Sequence, residues 1–400
     1  MHDLVIVGGG FAGMWAALGA AHEVAENEAD IAITVVSKDP YLTIRPRLYE
    51  RDPETLRAPL APAFEPLGIA LVEGAVTGID TKDRNLTLEC ANGGTTSQRY
   101  DTLIVATGSE QRLPAVPGLA EHGFDIDTYD AAVAFDRHLA KVLDAPPEPG
   151  HDTVVILGAG LTGVELALEM RDRIAAHADA DAAEQARIVL VEQADTVGPE
   201  LGSNPRPVVA DALRDAKVEL RLGTRLERVE LDAAILSSGE RIATKSVVVT
   251  AGLKASALAH ALPVECDELG RVPTDETLHV AGLSNVFVAG DIARAYADAG
   301  QLALMSCQHA MAMGRLAGYN AAREAIGLPL KPYSQPNYVT CMDLGRSGAV
   351  FTTGWEREVQ MTGAEAKARK QMINTQFIYP PTGDREALLA AAHIDARPGR

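Results

Sequence analysis

Two glycine clusters carry the clearest chemical spacing in the chain: Gly8-Gly9-Gly10-Phe11-Ala12-Gly13 and Gly158-Ala159-Gly160-Leu161-Thr162-Gly163. Both read GxGxxG. The first glycine allows a tight turn, the second lets the backbone approach a pyrophosphate, and the third lets a helix pack close to a strand. The chemistry on offer is anion binding, with backbone N–H groups and the positive end of a helix dipole facing phosphates. That reading needs a strand before each cluster and a helix after it. Asp3 to Val7 is an apolar run that reads as a buried parallel strand, and the Ala-rich stretch Met14 to Ala21 reads as a helix. Val154 to Leu157 and Val164 to Ala167 repeat the arrangement. The spacing predicts two Rossmann-type dinucleotide-binding units in one α/β chain.

The next strand of each unit separates the two ligands. An acid at its end holds the ribose hydroxyls of a nicotinamide dinucleotide. In the second unit, Ile188 to Val191 ends at Glu192, which would accept from a ribose 2′-OH and repel a 2′-phosphate, favouring NADH over NADPH. The bland alternative is a solvated carboxylate after a strand. In the first unit, Ile31 to Val36 ends at Ser37, followed by Lys38 and Asp39. The acid is missing there, which fits FAD held through many other contacts.

Four other side chains invite chemistry. Glu165 sits in the first turn of the second glycine-motif helix, where the dipole favours negative charge, or where it faces a nicotinamide or flavin ring. Arg45 and Arg47 bracket Pro46, either stabilising a reduced flavin or flanking a solvated turn. Cys307 reads as a small core residue or as a thiol whose pKa a helix N-terminus lowers. His309 reads as a proton relay or as a satisfied structural histidine.

Composition excludes several classes. The net charge of −19 argues against nucleic acid, whose phosphates need concentrated Lys and Arg. Cys90, Cys266, Cys307 and Cys341 lie far apart, so no zinc site, disulfide framework or CxxC redox pair is expected. The histidines show no metal-ligand spacing, and no metal is expected. No apolar run is long enough to span a membrane, and no export signal precedes the first strand, so a cytoplasmic location is expected.

Further motifs resemble the two-dinucleotide-binding-domain flavoproteins. Tyr100 to Gly108 looks like the strand and ATG turn that link the FAD and NAD domains. Asn285 to Asp291 looks like the second FAD fingerprint, whose Asp meets the ribityl chain. Val247 to Ser256 resembles the return strand of type II NADH dehydrogenases, the membrane-peripheral NADH:quinone reductases. Where disulfide reductases carry a cysteine pair, this chain has Tyr41 to Tyr49, without cysteine and similar to the type II enzymes. The resemblance implies a flavin site built from Gly8, Gly10, Phe11, Ala12, Gly13, Ser37, Lys38, Arg45, Val76, Ala106, Thr107, Gly108, Gly290, Asp291, Ser306 and Cys307. It implies a nicotinamide site at Gly158, Gly160, Leu161, Thr162, Gly163, Glu192, Ala251 and Gly252, with Glu165, Cys307, Gln308 and His309 nearest the chemistry. Hydride would pass from NADH to FAD and electrons on to a quinone. On the helix that caps the quinone site, Gln308 is retained, Cys307 replaces an Ala, and Ala312 replaces a second Gln. That departure keeps open a soluble oxidoreductase acting on a small molecule or a carrier protein. Cys307 and Cys341 keep open a sulfide:quinone reductase.

The expected organisation is an FAD domain over 1–115 and 253–325, an NAD domain over 116–252, and a small α+β C-terminal domain over 326–400 on the acceptor side. Residues 365–379 read as a helix with Ile373 and Phe377 on one face and Lys367, Arg369 and Lys370 upstream. Such a helix can lie on an anionic membrane, placing the enzyme on its cytoplasmic face. The alternative is that its apolar side packs on the body or on a homodimer partner.

Overall fold

The two glycine motifs open two copies of one arrangement in the structure, a computed structural model that describes residues 1–90 and 92–396. The first parallel sheet has five strands in the order Val286–Val288, Thr102–Val105, His2–Val7, Ile31–Ser37, Ala70–Glu73. The second has Gly123–Asp125, Ser246–Val249, Thr153–Leu157, Arg187–Val191, Glu219–Arg221 in the same spatial sequence. All pairings within both sheets are parallel. The central strands are short apolar runs because helices cover both faces, and Thr102–Val105, Thr153–Leu157 and Ser246–Val249 are buried throughout.

The likeness extends to single hydrogen bonds. Gly8 N donates to Val36 O and Gly158 N to Val191 O, each at 2.8 Å. Ala106 N donates to Val7 O and Thr250 N to Leu157 O, again at 2.8 Å. Each unit also inserts a three-stranded antiparallel sheet after an edge strand, Ala70–Glu73 or Glu219–Arg221: Ala75–Asp80, Asn85–Glu89 and Thr95–Arg99 in the first, and Leu226–Glu230, Ala233–Leu236 and Arg241–Ala243 in the second. The chain crosses between units twice. Those segments, Ser109–Gln111 and Leu253–Ala255, pair antiparallel, and Thr107 Oγ1 lies 2.5 Å from Ser256 Oγ across them.

Two helices close the first unit. Phe11–Glu26 packs along Cys307–Ala325 through small residues, with a Cβ at Gly314 or Gly318 falling within 2.1 Å of the other helix's backbone. A last sheet, Val339–Asp343, Ala349–Thr353 and Glu358–Thr362, is antiparallel. The helix Gly363–Met372 covers one of its faces, and a π-turn Ile373–Phe377 follows. Val339, Cys341 and Phe351 meet Ala366 on that side, while Met342 and Val350 join the main core from the other. Among the described residues, no helix is long and apolar enough to cross a membrane.

Candidate functional site

Each GxGxxG turn does what its glycines predict. Gly8 and Gly158 hold φ of +111° and +101°, a region that other residues rarely enter. A Cβ on Gly13 would sit 1.7 Å from Gly8 O, and one on Gly163 would sit 1.8 Å from Gly158 O. Side chains at these positions would push helix and turn apart. Gly10 caps its helix with no side-chain bond and open space beyond it, so the helix N-terminus is bare toward the cleft.

That cleft measures about 2100 Å³. Single-ligand pockets run to roughly 300–1,000 Å³, so it has room for more than one ligand. Of the sequence-predicted residues, Gly8, Gly10, Phe11, Ala12, Ser37, Lys38, Arg45 and Val76 line its first-unit side. Ala106, Thr107, Gly108, Gly290, Asp291, Ser306, Cys307 and Gln308 line its centre, and Leu161, Thr162, Glu165 and Gly252 line the second-unit wall. The others do not line it. Gly13 and Gly163 are buried in helix packing, and Gly158, Gly160 and Ala251 are half-buried in turns next to lining residues. His309 is sealed beneath the helix with no exposure.

Glu192 is buried at the end of its strand. Its two carboxylate oxygens accept from Ala159 N at 2.8 Å and Ala194 N at 2.9 Å, which fixes the group beside the second glycine turn. Ser37 holds the matching place in the first unit, where its Oγ would meet a Cβ built on Gly9 at 2.5 Å.

Asp291 anchors the centre. Ser109 Oγ donates to its Oδ2 at 2.6 Å, and Arg45 Nη1 lies 3.7 Å away. Burial pushes the Asp291 carboxyl up, and Ser109 and Arg45 pull it back. Arg45 also donates to Asp127 Oδ1 through Nε and Nη2. The Arg45–Arg47 pair expected over a flavin is split. Arg45 faces the cleft, whereas Arg47 forks onto Glu50 and bonds Asn374 O and Tyr379 Oη, tying down the C-terminal segment.

Glu165 takes a course that the sequence did not suggest. It is 8% exposed, and its Oε1 accepts from Lys370 Nζ at 2.8 Å and from Asp343 N at 2.9 Å. Burial pushes its carboxyl up and Lys370 opposes this. For Lys370, burial works against the ammonium, but Glu165 outweighs it and the net direction is upward. One helix of the second unit is thus ion-paired to the helix of the C-terminal domain at the edge of the cleft.

That pairing bears on the two readings of residues 365–379, a cationic membrane face or a helix packed on the body. Lys370 is spent on Glu165, and Lys367 Nζ binds both oxygens of Asp343 at 2.6 and 2.7 Å. Arg369 lies over the rings of Phe351 and Phe377. Ile373 and Phe377 face the cleft as part of its lining.

Cys307 and His309 also differ from their sharper readings. Cys307 does begin its helix, with Ser306 Oγ capping His309 N. Burial nevertheless pushes its thiol up to about 11, and Cys341 likewise to about 11. Desolvation outweighs the helix end, so neither thiol is poised as a thiolate near neutral pH. Burial also holds the His309 imidazole down at about 4, where it is neutral. Its Nδ1 lies 3.2 Å from Gln335 Oε1 and 3.3 Å from Tyr333 Oη. Gln308 reaches across the cleft to Asn337 O at 3.5 Å.

Sequence reasoning missed Ser109, Asp127 and Lys370. Ser109 and Asp127 carry no local signal, since they meet Arg45 from 64 and 82 positions away. Lys370 carries none either: its place on an inward stripe with Ala366 and Asn374 is visible only in the structure, where all three are buried.

Comparison with known proteins agrees with this architecture. The chain is similar to an NADH dehydrogenase-like protein of Mycobacterium tuberculosis, 44% identical over 402 residues and covering 100% of both chains. It is similar to a type II NADH:quinone oxidoreductase of Staphylococcus saprophyticus, 24% identical over 393 residues, covering 94% of this chain and 95% of the relative. Among solved structures, NDH2 from Plasmodium falciparum in complex with NADH superposes with a TM-score of 0.77 at 12% identity, covering 93% of this chain and 94% of that one. The family model for pyridine nucleotide-disulphide oxidoreductases matches residues 2–314, and the chain belongs to that family.

Proposed function

We propose that this chain is an FAD-dependent NADH oxidoreductase that delivers electrons to a quinone. One observation carries the reading: a single cleft runs from the first glycine turn past Asp291 to the second unit's Leu161 and Thr162, and on to the C-terminal wall. A cleft of that extent supports donor, cofactor and acceptor meeting along one continuous open space. In this reading the FAD domain comprises 1–115 and 253–325, the NAD domain 116–252, and the acceptor side 326–400.

FAD would be held by Gly8 to Gly13, Ser37, Lys38, Val76, Ala106 to Gly108, Gly290 and Asp291. The open space over Gly10 and the buried Asp291 carboxylate fit a pyrophosphate and a hydroxylated chain respectively. NADH would be held by Gly158 to Gly163, Ala251, Gly252 and Glu192. When bound, FAD supplies the two-electron chemistry between a hydride donor and an acceptor, and the protein supplies binding, orientation and field. Arg45 and Lys370 line the central wall already paired, with Asp127 and Glu165 respectively, so they hold that wall in place and add little net charge to it. Met311, Phe351, Ile373 and Phe377 give the acceptor side an apolar lining suited to a quinone ring, with Gln308 as a polar contact. The protonated Cys307 and Cys341 thiols weigh against sulfide chemistry.

A soluble acceptor is the second reading, favoured by Ala312 at the second Gln position and by the internal pairing of Lys367 and Lys370. The test is anaerobic. NADH should bleach the yellow protein with a higher kcat/KM than NADPH, Glu192→Ala should narrow that ratio, and a short-chain quinone should restore the colour faster than oxygen does. A native preference for NADPH refutes the role given to Glu192. Equal reoxidation by quinone and oxygen refutes the quinone acceptor.

A further inference from the structure

Five buried polar side-chain atoms behind the cleft wall have no hydrogen-bond partner among the described residues: His309 Nε2, Thr340 Oγ1, Thr352 Oγ1, Trp355 Nε1 and Arg357 Nη1. They are not scattered. Thr340 and Thr352 are direct cross-strand partners, so their side chains share one sheet face, the face opposite the Cys341–Phe351 pair and the covering helix. Tyr338 lies two residues before Thr340, where its ring is within 5.3 Å of His309 and 5.1 Å of Trp355, all nearly parallel. His309 and Trp355 are 6.0 Å apart, and the Arg357 guanidinium is 5.7 Å from the Tyr338 ring. Buried polar groups in folded proteins are almost always satisfied, by water where the protein offers nothing.

The donors and acceptors are complementary. Trp355 Nε1 and Arg357 Nη1 can only donate. Gln335 Oε1 can only accept, and it already receives Tyr333 Oη–H at 2.8 Å, so the contact with His309 puts the proton on Nδ1. His309 Nε2 is then a bare acceptor. A water placed among these groups would accept from Trp355 and Arg357 and donate to His309 Nε2 and a threonine hydroxyl.

We propose that His309 and this inner face of the C-terminal sheet form a hydrated internal site that conducts the proton consumed when a quinone is reduced in the cleft. The proposal rests on the quinone reading. Its balance is NADH + H⁺ + quinone → NAD⁺ + quinol. The hydride brings both electrons and one hydrogen nucleus, and the second comes from solvent. The internal water, reprotonated from solvent, gives a proton to His309 Nε2 as Nδ1 gives its own to Tyr333 Oη, and Tyr333 turns its hydroxyl proton from Gln335 to the quinone in the cleft that it lines. A neutral imidazole relays in this way by exchanging which nitrogen carries hydrogen.

The test pairs acceptors in the flavin-loaded enzyme. Trp355→Phe/Thr352→Val keeps the ring stack and removes one donor and one hydroxyl. Quinone reduction should fall about tenfold or more, within the range of a lost proton-transfer group, with an increased solvent isotope effect. Ferricyanide takes electrons without protons, and its reduction should stay within about twofold. A high-resolution crystal structure of the wild type should show ordered water bonded to Trp355 Nε1 and His309 Nε2, lost in the double variant. A dry cluster overturns the site, and so does a double variant that keeps pace on quinone or slows equally on both acceptors. A wild type that reduces ferricyanide but no quinone overturns the quinone reading and the proton role together, while the water positions decide the hydrated site independently.

Discussion

Replacing Lys370 by methionine removes the cation that faces Glu165 while keeping most of the side-chain volume. Glu165 Oε1 then retains one of its two bonds, that from Asp343 N. The carboxylate, 8% exposed at the wall of the cleft, is left largely desolvated. Breaking a buried pair in this way typically costs about 3–5 kcal/mol, because the remaining charge is uncompensated. The double variant Glu165→Gln/Lys370→Met carries no such charge and should recover most of the loss, leaving roughly 1 kcal/mol for the altered hydrogen bonds. Burial without the lysine raises the Glu165 carboxyl. A group raised on folding favours the native state at low pH and loses that contribution as pH climbs through its folded pKa. The deficit of the single variant should therefore grow from acid to neutral pH, while the double variant runs parallel to wild type. Thermal unfolding followed by flavin release reads both effects. A single variant within about 1 kcal/mol of wild type, or a double variant no better than the single, refutes a pair that joins the two domains.

Glu169 gives a second pH signature: burial, then Asp172 and Asp343, raise its carboxyl to about 7. Its contribution is present below the ordinary carboxyl pKa and disappears toward pH 7, by up to about 3 kcal/mol at ~1.4 kcal/mol per unit. Glu169→Gln should flatten that slope in a stability profile from pH 5 to 8, and an unchanged slope refutes the assignment. Gly163→Ala should keep the flavin yet weaken NADH binding more than about tenfold, because its Cβ falls 1.8 Å from Gly158 O; titration calorimetry with an unaltered Kd would contradict this. Truncation after Gly363 removes the partners of Glu165, Glu50 and Arg47, so it should cost flavin retention and solubility, while the intact chain stays in the supernatant with anionic vesicles. Sedimentation at low salt that reverses at high salt would restore the membrane-face reading.

Much of this architecture could be read from the sequence, because its signals are local. A buried strand, a turn that only glycine can make and a helix occupy a dozen consecutive residues, and the pattern occurs twice. Glu192 was readable for the same reason, since a strand end places it beside its own glycine turn. The contacts that shape the cleft are of another kind. Arg45 meets Asp127 across 82 positions and Glu165 meets Lys370 across 205. No periodicity encodes such meetings, which depend on how the two units and the last sheet come together. The local rules even pointed the wrong way at Lys370. A lysine on a helix belongs to solvent by default, and its place on a buried stripe with Ala366 and Asn374 makes sense only once a carboxylate waits opposite.

Glu165 stands on the second turn of its helix, not the first as its sequence position suggested, and there it lines the cleft. A carboxylate there, facing the cleft, would repel the phosphates that the turn exists to bind. Lys370 cancels that repulsion locally, and Asp343 N takes the same oxygen, so the charge is held against the C-terminal sheet. Asp343 carries Lys367 in turn, which extends the neutralised seam along the helix. The dinucleotide-binding unit is therefore electrostatically complete only with the last domain in place. Without that helix Glu165 would be an unpaired carboxylate at the wall of the cleft.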